Sequence, residues 1–136
     1  YGYLDNPAHK DDSRWVHRPS ADAQRYARRH DPTSLEGRVY AAMQAIIAFR
    51  KEHPELAGGE LEAIESGSSP VLMYSRSHKD SRRLIILANF SEQTQLVPAW
   101  TIQQNKLLAK SRLFGMAEPL GNGSLRLPPY DFSVYG

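Results

Sequence analysis

The chain has no cysteine. That absence excludes disulfide frameworks, thiolate nucleophiles and cysteine-based zinc sites, and it fits a reducing compartment without requiring one. No apolar run reaches the ~20 residues needed to cross a bilayer, and no signal peptide opens the sequence, so a cytoplasmic or otherwise soluble setting with no membrane partner is expected. Charge of one sign is scarce as well. The formal net charge is only +2 over 136 residues, despite a pI near 9.0, and the small cationic excess lies in residues 104–136. No basic stripe interleaved with aromatics runs along the chain, which argues against nucleic acid as a partner. His9, His17 and His30 are irregularly spaced and form no ligand pair at helical spacing, so no metal site is expected and no cofactor is implied. Internal repeats and low-complexity tracts are also missing.

What is present is a 40% hydrophobic share, enough for a packed core, in a length that suits one domain or a small domain plus a piece of another. The first residue is Tyr rather than Met, which suggests a fragment or a processed product. Residues 1–34 carry Pro7, Pro19 and Pro32, many charges and no sustained apolar period, and read as a long loop with a short helix at about 20–29. Within it, Asp11-Asp12-Ser13-Arg14-Trp15-Val16-His17-Arg18-Pro19 concentrates carboxylates, guanidinium groups, an imidazole and an indole where no regular element can form. Such a density of directional polar groups suits recognition of a polar ligand.

The pattern changes at Thr33. Thr33-Ser34-Leu35-Glu36 matches a capping box, and Leu35, Val39, Met43, Ile46 and Phe49 then fall on one face at helical spacing. Arg50, Lys51 and His53 suit a helix C-terminus, and Pro54 cannot continue the ladder, which predicts one long helix over 34–53. Its apolar stripe needs a partner surface that residues 1–33 do not clearly supply. Gly58-Gly59 marks a hinge, after which strand-like runs are expected at 60–66, 71–77, 83–90, 94–98, 108–114, 124–127 and 130–135. Leu84-Ile85-Ile86-Leu87-Ala88 reads as a central strand buried on both faces. The expected fold is mainly β with one long helix, closing in an antiparallel β-sandwich. Tyr74, Phe90, Tyr130, Phe132 and Tyr135 are assigned to its core; for Trp100, packing is the default and an exposed ring the alternative.

The run Asp11–Pro19, then Arg29-His30-Asp31-Pro32 leading into Gly37-Arg38-Val39-Tyr40, resembles the amylosucrases and related sucrose hydrolases of the α-amylase type. Ala48-Phe49-Arg50-Lys51, Gly58-Gly59-Glu60-Leu61, Ala88-Asn89-Phe90-Ser91-Glu92 and Leu127-Pro128-Pro129-Tyr130 extend the resemblance over nearly the whole chain. It implies that residues 1–53 are the tail of a catalytic (β/α)8 barrel, with an active-site loop at 1–33 and the last barrel helix at 34–53. Residues 54–136 would then be the β-sandwich called domain C. The implied parent takes a glucosyl unit from sucrose through a covalent intermediate, with sucrose and α-glucan as its ligands. The family's catalytic carboxylates lie upstream of this segment and none is matched here, so no catalytic residue is assigned and the chain alone is expected to be inactive.

By that resemblance, Arg14 pairs with an upstream Asp to close the bottom of a glucosyl pocket, a role that a guanidinium fork suits. A loop-stapling ion pair with Asp11 or Asp12 is the plainer alternative. Asp12, His17 and Arg18 (with Asp11) would line outer sugar subsites or only hold the loop's shape, and Trp15 would anchor the loop or offer a stacking face. Adjacent Asp11 and Asp12 seldom span one glycosidic bond at the ~5–9.5 Å that acid/base pairs use, so they are not assigned as catalytic. A reading from another class also stands: a self-standing carbohydrate-binding or structural β-sandwich module with an N-terminal linker.

Overall fold

The computed structural model of the chain describes Asp11 and residues 22–79 and 82–136. It divides into two units, residues 1–49 and 50–136. In the first, a short helix α1 (Ala23–Ala27) runs into a 3-10 turn, Arg28–His30, and is followed by the long helix α2 (Leu35–Glu52), whose last three residues belong to the second. Asp22 caps α1, its carboxylate accepting from the backbone amides of Gln24 and Arg25 at 2.9 and 3.3 Å.

The cap of α2 sits one residue later than the capping box predicts. Helical residues begin at Leu35, so the third free amide is that of Gly37, and the Ser34 hydroxyl accepts it at 2.9 Å. Thr33 instead donates its hydroxyl to Asp31 at 2.7 Å, and Glu36 faces Arg28 at 3.4 Å rather than returning to the cap. Gly37 is required by proximity: a Cβ there would lie 1.8 Å from the Asp31 carbonyl oxygen. It is also the one buried residue of α2. The predicted apolar stripe is solvent-facing, with Leu35, Val39, Met43 and Ile46 all exposed and Phe49 half-buried.

The second unit opens with a 3-10 turn, Pro54–Leu56, and contains eight strands among the described residues: β1 (Glu60–Ile64), β2 (Val71–Ser77), β3 (Leu84–Asn89), β4 (Gln95–Val97), β5 (Arg112–Phe114), β6 (Glu118–Pro119), β7 (Leu125–Leu127) and β8 (Phe132–Tyr135). One sheet has the order β1-β2-β3-β8-β5 and the other β4-β7-β6, with every pairing antiparallel. Side chains from both sheets meet in one core, as a sandwich requires: Val71, Met73, Ile85 and Leu87 from the larger, Val97, Leu125 and Leu127 from the smaller. Each such burial contributes about 1.5–3 kcal/mol. As expected, Leu84 through Leu87 are fully buried, which fits a strand covered on both faces.

Two departures follow from local chemistry. The segment after β4 forms a helix, α3 (Ala99–Gln104), which lends Ile102 to the core, and a 3-10 turn, Leu107–Ala109, replaces the start of the strand expected at 108–114, which begins only at Arg112. Of the aromatics assigned to the core, Tyr135 is buried and Tyr74 and Phe132 are half-buried, but Phe90 and Tyr130 are exposed. They stand just outside the strands, Phe90 where β3 turns and Tyr130 at φ 55 in the turn entering β8. There the pleat no longer aims side chains inward.

Candidate functional site

The residues to which the sequence assigns substrate contacts, Arg14, Asp12, His17 and Arg18, lie outside the described residues, as does Trp15. Asp11 is described, in an exposed turn. From Asp22 onward the first unit builds a surface of its own. Tyr40, on α2, carries the Arg29 guanidinium over its ring at 6.0 Å and meets the His30 ring edge-on at 6.1 Å. Asp31 closes the turn below: hydrogen bonds from the Thr33 hydroxyl and then the Thr33 amide hold its carboxyl below the ordinary value of 3.8. These contacts fix α1 beside the first turns of α2, and between them lies a trough of about 470 Å³ with Tyr26, Leu35, Val39, Tyr40 and Met43 along it and Arg25 and Arg29 at its rim.

Chemically, the trough is a seat rather than a reaction centre. Its described walls are mostly apolar, and among the described lining residues the single carboxylate, Glu36, is engaged by Arg28, so these residues supply no acid/base pair. Among the described residues no group of His, Cys, Asp or Glu is placed to hold a metal ion, and no helix is long and apolar enough to cross a membrane.

In the sandwich, the expected hinge at Gly58-Gly59 is tied down, since Arg76 on β2 donates to the Glu55 and Gly58 carbonyls at 3.3 and 3.1 Å. Buried Glu55 lies 3.7 Å from Arg82, which also bonds His53 Nδ1 at 3.0 Å. Buried Tyr135 has its hydroxyl raised above the ordinary value of 10.0, first by desolvation, with the nearby Arg112 opposing the shift. Trp100 is not packed away: it is 49% exposed on α3 and borders a second, smaller cleft. Sequence reasoning left this cleft unnoticed because α3 was not foreseen. Pro98 immediately before an apolar residue was the available signal of a helix start.

No family model matches the sequence. The backbone does match solved structures. A mutant of MutB in complex with glucose aligns at 25% identity and a TM-score of 0.53, over 77% of this chain and 18% of that one. The trehalulose synthase MutB from Pseudomonas mesoacidophila MX-45 aligns at 23% identity and a TM-score of 0.55, over 90% of this chain and 20% of that one. A MutB mutant in complex with the substrate sucrose aligns over the same shares at a TM-score of 0.54. The chain therefore shares its fold with part of these enzymes and spans about a fifth of their length.

Proposed function

We propose that the chain is the C-terminal part of a sucrose-acting α-glucosyl transferase of the amylosucrase type, or of a sucrose hydrolase, and that it has no activity alone. The observation that carries this reading is the uncovered apolar face of α2, with its adjoining trough. A helix of 18 residues whose Leu35, Val39, Met43 and Ile46 all face solvent leaves several kcal/mol of burial unmade, at about 1.5–3 kcal/mol per large side chain. The covering body is the catalytic barrel of the parent, with residues 1–53 as its tail and residues 54–136 as domain C. Likeness to a fifth of an enzyme solved with sucrose supports sucrose as the parent's substrate.

In this reading the parent's barrel brings the nucleophilic and acid/base carboxylates, and the loop at Asp11–Pro19 forms one wall of the sugar pocket. Arg14 closes its base by a bidentate pair with a barrel Asp, and Asp12, His17 and Arg18 line the outer subsites toward the fructosyl group or an acceptor α-glucan. The test is Arg14→Ala in the full-length parent: kcat/KM for sucrose falls by about 10²-fold or more with the fold intact. Turnover within a factor of two or three of wild type would overturn the pocket assignment.

A further inference from the structure

The tight hairpin between β6 and β7 carries an Asn-Gly pair at its tip. Gly121, Asn122 and Gly123 form the loop, closed by the Gly123 amide donating to the Leu120 carbonyl at 2.9 Å and the Leu120 amide donating to the Ser124 carbonyl at 2.8 Å. Gly123 stands at φ +81, the left-handed position that a three-residue loop of this kind needs. Asn122 is exposed, and no atom of the described residues lies within 4 Å of a Cβ placed on Gly121, so solvent reaches the loop.

The bonding of the Asn122 side chain is one-sided. Its Oδ1 accepts from the Ser124 hydroxyl at 2.6 Å and the Ser124 amide at 3.1 Å, whereas its Nδ2 has no hydrogen-bond partner among the described residues. Attack on Cγ puts negative charge on Oδ1, where two donors already point, while the amino group that must leave is unbound. The following residue, being glycine, has no side chain to crowd the approach. Asn89 is the natural control: its Oδ1 accepts the same pair of donors from Ser91, but it is 3% exposed and its Nδ2 is held by the Gln93 and Pro128 carbonyls. Asn105 is likewise held, donating to the Thr101 carbonyl, and Asn6 precedes Pro7, whose nitrogen carries no hydrogen.

We infer that Asn122 is a site of spontaneous deamidation, reached when the turn opens locally. The Gly123 amide nitrogen, bound to Leu120 in the closed turn, is released, loses its proton to solvent hydroxide and bonds to Asn122 Cγ. The Cγ–Nδ2 bond then breaks, ammonia leaves and a succinimide ring closes. Water opens that ring at either carbonyl, giving aspartate or isoaspartate, with no change of oxidation state. The two products differ in consequence. Aspartate keeps the acceptor that Ser124 grips, whereas isoaspartate adds a methylene to the main chain just before β7, whose Leu125 and Leu127 belong to the core.

The test incubates the 136-residue chain beside a peptide of residues 119–126 at mildly alkaline pH, with peptide mapping by mass spectrometry. Asn122 in the folded chain should convert about tenfold more slowly than in the peptide, the effect of one turn hydrogen bond. It should still convert at least about tenfold faster than Asn89 or Asn105, and Asn122→Gln should abolish the change. Both aspartate and isoaspartate are expected, the latter species unfolding at lower urea than the former. Conversion slowed about 10³-fold or more relative to the peptide would overturn the inference, because it would require far more than the turn to open. So would faster change at Asn89 or Asn105, or aspartate without isoaspartate, which marks direct hydrolysis with no ring.

Discussion

Replacing Asn89 with Ala should unfasten the end of the central strand. Asn89 is 3% exposed, and its side chain joins three segments: Nδ2 donates to the Gln93 and Pro128 carbonyls, both at 2.8 Å, while Oδ1 accepts from the Ser91 amide at 3.0 Å and the Ser91 hydroxyl at 2.8 Å. Ala removes these four bonds, together with a longer one from Nδ2 to the Leu127 carbonyl at 3.5 Å, and leaves the carbonyls and the Ser91 amide without this partner. At about 1 kcal/mol per bond, with water restoring part of the exposed Ser91 side, the loss comes to about 3 kcal/mol. Because the chain has two units, the sandwich must be followed by itself. Trp100 fluorescence in a Trp15→Phe background does this during urea unfolding. With an m-value of about 1–2 kcal/mol/M, the midpoint falls by roughly 1.5–3 M at unchanged m. A shift below about 0.5 M would refute the claim that this side chain, rather than the backbone pairing of β3, holds the three segments together.

Four further outcomes are expected. Gly37→Ala drives a methyl into the Asp31 carbonyl and should destabilise the start of α2 by about 2 kcal/mol or more, seen as lost amide protection over residues 34–40; intact protection there counts against the close approach. Asp31 titrates below 3.8 in the folded chain, so its contribution to the turn is complete above 3.8 and is lost as pH falls through the lower folded value; Asp31→Asn should remove that acid dependence in an NMR titration of the Thr33 amide. Tyr135 titrates above 10.0 when folded, so its contribution is intact below 10 and stability falls as the pH rises through the higher value; Tyr135→Phe should flatten this alkaline limb in thermal melts. Finally, Val39→Lys with Met43→Lys should lower self-association of the isolated chain in light scattering, since both positions belong to the exposed face of α2; equal association would show that another surface drives it.

Long periodic elements were legible in the sequence. Leu84 through Leu87 announced a strand buried on both faces, and the apolar period with Pro54 bounded α2, because each signal repeats over many residues and tolerates an error at any one. Where one residue decides, the reading slipped. Thr33 and Ser34 are both capable caps, and the choice depends on which amide is third in the helix. Phe90 and Tyr130 look like core by type, yet their exposure is set by turns that begin one or two residues beyond the last paired position. The cleft at Trp100 was hidden for another reason: β1 and α3 meet there from positions some forty residues apart, and no local pattern records that meeting.

The position of β8 has a consequence for synthesis. Residues 132–135 come last in sequence among the strands but lie between β3 and β5 in the larger sheet. While the chain is being made, β1, β2 and β3 can pair in order by short connections, yet β3 keeps one bare edge until β8 emerges, and β5 has nothing to join. During that interval the most apolar strand of the molecule presents an open row of amides and carbonyls to any other strand nearby. The sandwich is thus exposed to mispairing from the completion of β3 until its last strand inserts, roughly the second half of its translation.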